Sequence, residues 1–136
     1  SVHSLKKEFL KDEFDDTLDN LSASYLVKSL DKIKEDLTIY YNGQKGLMTY
    51  CLGAISIPAN SFLRANSDYD FFIDISRKGN ASFRADGKLD VSQLASKLAN
   101  GGGHVNASGC KFDDFADTIN LQEVRAYIQN KLNNLK

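Results

Sequence analysis

The stretch SFRADGKLDVSQLASKLANGGGHVNASG, residues 82–109, decides how this chain is read. Ala81, Phe83 and Ala85 alternate with Ser82 and Arg84. A period of two marks a half-buried strand, with Ser82 and Arg84 on its polar face. A helix follows. Asp90 stands at its cap position, and Gln93, three residues on, can reach back to it. Val91, Leu94, Ala95 and Leu98 form one apolar stripe at helical spacing. Gly101, Gly102 and Gly103 then stop the helix. One left-handed glycine is enough to close a helix, so three in a row ask for a further reason. Successive glycines let backbone N–H groups converge on an anion and let a ligand approach the main chain. His104 follows at once and adds a side-chain donor that can also carry charge.

Working outward, LTIYY (37–41) and LMTYCLG (47–53) are β-rich, and NGQKG (42–46) between them is a hairpin signal. The segment AISIPANSFLRANS (54–67) reads as irregular and holds the chain's one proline, Pro58. YDFFIDI (69–75) and ASFRA (81–85) flank SRKGN (76–80), a second hairpin signal. ASGCKF (107–112) reads as a short strand and DDFADTI (113–119) as a loop. NLQEVRAYIQNKLNNL (120–135) is an amphipathic helix with Asn120 and Glu123 as its cap pair. At the other end, Leu5, Phe9, Leu10, Phe14 and Leu18 fall at helical intervals among charges. DDTLDNLS (15–22) reads as an interruption, after which Ser22 or Ser24 caps a helix carrying Tyr25, Leu26, Leu30 and Ile33. The expected fold is α/β, a single domain with a mixed β-sheet of about five strands flanked by helices. Residues 22–136 form the domain, and residues 1–21 are a connector.

The chain has 136 residues and a formal charge of −1. That length supports one real core. The charge excludes a global positive field for nucleic acid, so any anion site must be local. No apolar run reaches membrane-spanning length. Cys51 and Cys110 read as buried or half-buried free thiols of a cytoplasmic protein. The chain opens on Ser1, and its one methionine is Met48. The expectation is a piece excised from a longer protein. Lys78, Lys88, Lys111 and His3 read as plain surface residues.

Arg84 and Ser82 share a strand face, and the intervening helix returns the chain to the same sheet edge by His104. Arginine fork, hydroxyl, glycines and histidine together would cradle a phosphate. The candidate residues are Arg84, Ser82, Gly101, Gly102, Gly103, His104 and Ser108. On spacing alone, a flexible turn with a solvent-facing histidine fits as well, and so does a solvated strand arginine.

The same residues carry a family resemblance. Ser82 and Arg84, then LDVSQLA (89–95), then Gly101 to His104 with Ala107 and Gly109, resemble the C-terminal DHH-associated domain of the DHH phosphoesterases. The match is specific over residues 81–109. Ala85 departs from it where serine is common, and Asn100 where the family often has a fourth glycine. The resemblance implies that Arg84 clamps a substrate phosphate, that His104 hydrogen-bonds a phosphate oxygen, and that the glycines seat N–H groups against it. It implies a separate N-terminal DHH domain as partner, holding manganese and activating water. With only His3 and His104 and no Asp-His-His tripeptide, this chain is expected to hold no cofactor and to be inactive alone. The implied ligands are short oligonucleotides, dinucleotides or adenosine bisphosphate, in short a nucleotide or short single-stranded nucleic acid. A homodimer also fits the family. The alternative is a stand-alone RNA-binding or oligomerisation module of the kind found in alanyl-transfer-RNA synthetases. A third reading is a glycine-rich structural domain without a ligand.

Overall fold

A computed structural model describes the backbone of residues 2–135 and the side chains from residue 18 to 135. The side chains of His3, Leu5, Phe9, Leu10 and Phe14 lie outside the described residues. Six strands form one mixed sheet in the order β1-β2-β3-β4-β6-β5. They are β1 (Thr38–Tyr41), β2 (Gln44–Tyr50), β3 (Phe71–Ile75), β4 (Asn80–Ala85), β5 (Gly102–His104) and β6 (Ala107–Lys111). Among the described residues four α-helices flank them: α1 (Val2–Ile33), α2 (Ser56–Ala65), α3 (Val91–Ala99) and α4 (Leu121–Asn133). Among the described residues no helix is long and apolar enough to cross a membrane.

The β1–β2 hairpin turns on Asn42 and Gly43, with φ of 50° and 76°. Both central residues are left-handed, the twist that an Asn-Gly hairpin supplies. β2 and β3 are parallel and β3 and β4 antiparallel. A parallel pair needs a crossover, and α2 provides it. This is the segment whose proline suggested irregular chain. Pro58 falls in the first turn of α2, where the missing N–H has no intrahelical partner to lose. The helix therefore forms, and buries Pro58, Ala59, Phe62 and Leu63.

β3 is buried along its whole length. On one face Phe71, Ile73 and Ile75 join Met48, Ala81, Phe83 and Ala85 beneath α3 and α4, against Val91, Leu94, Val124, Ile128 and Leu132. On the other face Leu47 and Phe72 pack with Val27 and Leu30 of α1 and with Ala59, Phe62 and Leu63 of α2. Gly46 sits opposite Phe71, and a Cβ there would lie 2.3 Å from the ring.

The interruption expected at residues 15–22 does not occur. α1 is continuous from Val2 to Ile33. Ala23, Val27 and Leu30 are buried at helical spacing, which favours continuing the helix over capping it. The Ser24 hydroxyl donates back to the Asn20 carbonyl at 3.0 Å, a mid-helix arrangement. α3 begins as expected, with the Asp90 side chain accepting from the Ser92 and Gln93 N–H groups. Asn120 caps α4 in the same way, but the Glu123 carboxylate accepts from the Thr118 hydroxyl at 2.8 Å. Both cysteines are free. Cys110 is half-buried, while Cys51 is exposed, because it lies on the turn just past the end of β2.

Candidate functional site

The glycine stretch is a strand. Gly102–His104 forms β5, last in the sheet order and so one edge of the sheet. α3 closes on Asn100, left-handed at φ 53° and ψ 31°, and the Gly101 N–H donates to the Ala95 carbonyl at 3.0 Å. The chain then turns into β5 and pairs antiparallel with β6.

Register places the candidate residues in two rows. Directly opposed residues on neighbouring strands share a sheet face. Phe72 opposes Arg84, Arg84 opposes Ala107, and Ala107 opposes His104. In the next row Asp74 opposes Ser82, Ser82 opposes Gly109, and Gly109 opposes Gly102. α1 and α2 cover this face over Leu47 and Phe72. Beyond them cover thins out. Ser82, Arg84, Ala107 and Gly109 are half-buried, and Gly102 and His104 are exposed. Strands lie ~4.8 Å apart, so the Arg84 and His104 backbones stand ~10 Å apart across Ala107. Two long side chains over a floor of Ala107, Gly109 and Gly102 can converge on one anion.

Arg84 is free to bind. One guanidinium nitrogen donates to the Phe83 carbonyl at 2.8 Å. Among the described residues no carboxylate lies within ion-pair distance of it. A guanidinium has five N–H donors in a fixed fork. Most of that capacity remains for a ligand.

The three glycines do different work. A Cβ on Gly101 would come within 2.2 Å of the Gly109 carbonyl oxygen. Gly103 has φ 146°, and a Cβ there would come within 2.6 Å of the Ala107 carbonyl oxygen. Both are glycine because the chain packs too closely for anything else. Gly102 has nothing within 4 Å of its Cβ position. It leaves open space on the candidate face, two residues before His104 on the same strand.

Ser108 does not join the cradle. It opposes Phe83, so it lies on the other face, buried, and its hydroxyl donates to the Val91 carbonyl at 2.6 Å. The strand period decides this: Ala107 and Gly109 face the site, and the residue between them must face α3.

One residue of the site region was not singled out from the sequence. Asp74 is 4% exposed, the one buried charged side chain among the described residues. Its Oδ1 accepts from the Thr49 hydroxyl at 2.8 Å and the Leu52 N–H at 3.0 Å, and its Oδ2 accepts from the Gly53 N–H at 3.0 Å. Those bonds hold a turn in which Cys51, a non-glycine residue, has φ 64°. A left-handed cysteine costs about 1–2 kcal/mol. The Cys51 N–H, donating to the Ile75 carbonyl at 2.8 Å, helps offset that cost. A carboxylate in the middle of FFIDI, an otherwise apolar strand, is the signal that points to it. A buried charge must be paired or fully hydrogen-bonded.

The DHHA1 domain family matches residues 53–134, which include both rows of the candidate face from β3 to β6. This chain belongs to the DHHA1 domain family. Helix α1 and the β1–β2 hairpin precede the matched part of the DHHA1 domain. The chain is 42% identical over 134 residues to a 3′,5′-cyclic-nucleotide phosphodiesterase of Helicobacter pylori (strain ATCC 700392 / 26695). That match takes in 98% of this chain and 38% of the relative, so this chain spans well under half of the relative's length. A crystal structure of an uncharacterized protein from Helicobacter pylori G27 superposes with a TM-score of 0.84 at 43% identity, over 85% of this chain and 34% of that one. An exopolyphosphatase-related protein from Bacteroides fragilis shares the fold at 20% identity, with a TM-score of 0.50 over 79% of this chain and 34% of its own.

Proposed function

We propose that this DHHA1 domain is the substrate-binding part of a DHH-family phosphodiesterase, and that its open sheet face grips a phosphate of a nucleotide or short single-stranded nucleic acid. The observation that carries the reading is the row Arg84–Ala107–His104: an unpaired arginine and an exposed histidine on one face, separated by a methyl group. The Helicobacter phosphodiesterase, 42% identical, supports the class of reaction. In this reading Arg84 clamps phosphate oxygens with its fork, which matches phosphate geometry. His104 donates to a further oxygen. Ser82 offers its hydroxyl from the next row, and the bare backbone at Gly102 lets the ligand come close to the main chain. Each charge-assisted bond contributes ~1.5–3 kcal/mol.

The donors on this face suit an anion rather than a metal. Among the described residues no three His, Cys, Asp or Glu side chains are grouped to share a cation, and both Asp74 oxygens already accept hydrogen bonds from the protein. In this reading a DHH segment supplies the metal chemistry, and what the residues of this face do is bind and orient. The candidate ligands are short oligonucleotides, dinucleotides and adenosine bisphosphate.

An amide-shift titration of the labelled chain with adenosine 3′,5′-bisphosphate tests the reading. Signals of residues 101–104, Arg84 and Ala107 should move together and saturate. Movement confined to the α4 side of the sheet would refute it.

A further inference from the structure

The Asp74 carboxylate is a buried charged group that phosphate binding leaves unused. Its place in the sheet gives it a task. Asp74 is the direct cross-strand partner of Ser82, so the turn it holds lies on the candidate face. That turn, residues 51–54, is exposed, and it stands at the head of the row that runs through Ser82, Gly109 and Gly102. The row containing Arg84 and His104 lies two residues along the strand, ~7 Å away. A phosphate held by Arg84 and His104 can leave its attached sugar and base over the Ser82 row, a distance a ribose can span. The floor there is glycine, and the side wall is the Leu52–Gly53 turn.

We propose that Asp74 is a positioning residue that fixes the Leu52–Gly53 turn as the wall against which the nucleoside part of the ligand lies. The proposal rests on the phosphate reading of Arg84 and His104. Two features support it. Both carboxylate oxygens are used on consecutive N–H groups of the turn, with the Thr49 hydroxyl orienting one of them. A carboxylate is acceptor-only, so it alone satisfies all three donors. The wall is also partly apolar and faces open space: Leu52 is 36% exposed, and nothing lies within 4 Å of the Gly53 Cβ position.

Asp74→Asn separates this role from a general one. The amide oxygen can keep the Thr49 and Leu52 bonds, but the amide nitrogen would oppose the Gly53 N–H. The experiment measures the affinity of the full chain for two probes, a 5′-phosphorylated dinucleotide and inorganic phosphate, with hydrogen exchange at the Leu52 and Gly53 amides as a parallel readout. In Asp74→Asn the dinucleotide should bind five- to tenfold more weakly, phosphate should be unchanged within twofold, and both amides should exchange faster. Equal weakening of both probes, or an unchanged dinucleotide affinity with freed amides, overturns the proposal. If Asp74→Asn fails to fold, Thr49→Val should give the same selectivity with a two- to threefold loss, and its absence overturns the proposal. Arg84→Ala is the control. It should weaken both probes, and if it weakens neither, the phosphate reading itself fails and takes the wall with it.

Discussion

Replacing Arg84 with alanine removes the guanidinium that β4 carries on the open face and little else. In the free protein its single hydrogen bond runs to the neighbouring Phe83 carbonyl. Losing that bond costs ~0.5–1.5 kcal/mol, which in a domain of this size lowers Tm by roughly 2–6 °C. The bound state loses more. Two charge-assisted bonds to a phosphate are worth ~1.5–3 kcal/mol each before non-additivity. A net loss of ~1.4–2.8 kcal/mol corresponds to roughly ten- to a hundredfold in Kd. Arg84→Lys keeps the charge and loses the fork, so it should fall between wild type and alanine. Calorimetric titration with adenosine 3′,5′-bisphosphate, beside a thermal melt of each variant, reads both quantities. The reasoning is refuted if Arg84→Ala binds within twofold of wild type while folded, or if the whole binding loss tracks a collapse in stability.

The glycines divide by position. Gly101→Ala and Gly103→Ala should each lower stability by about 1–3 kcal/mol in denaturant melts, because their methyl groups meet the Gly109 and Ala107 carbonyls. Gly102→Ala should change stability by less than about 1 kcal/mol yet weaken nucleotide binding, since its methyl group enters only the open face. Ser108→Ala, which removes the buried hydroxyl's bond to the Val91 carbonyl, should cost ~1 kcal/mol of stability and leave affinity unchanged. The thiols should separate under alkylation near pH 8 followed by mass spectrometry. Cys51 is exposed and should react within minutes, whereas burial pushes the Cys110 thiol up to about 11 and should leave it largely unmodified in the folded chain.

The parts of the fold that were legible are those where one local signal decides. The two-residue alternation of β4 and the Asp90 cap of α3 need no tertiary context, and the structure has both. The errors occur where tertiary packing overrides a local cue. Pro58 looks like a breaker until its place in the first turn of α2 is known. The polar run before Ser22 looks like a break, but burial of Ala23, Val27 and Leu30 carries α1 through it. β5 was hidden because glycine has low strand propensity, and because this strand exists through its pairing with β6. At the candidate site, Arg84 and His104 can be singled out from the sequence, but their common row depends on register. Ser108 was misplaced by one step of a two-residue period. Asp74 was visible only as a carboxylate out of place in FFIDI, and its three donors come from segments 21 to 25 residues away in sequence.

The central claim is that the open half of the sheet, and not some other surface, holds the ligand's phosphate. A crystal structure of this chain with a 5′-phosphorylated dinucleotide tests it most directly. The account predicts a phosphate within hydrogen-bond distance of both the Arg84 guanidinium and the His104 imidazole, over Ala107, with the nucleoside toward Ser82 and the Leu52–Gly53 turn. A phosphate seated on the α3–α4 side, or bound on this face without contact to Arg84, would contradict it.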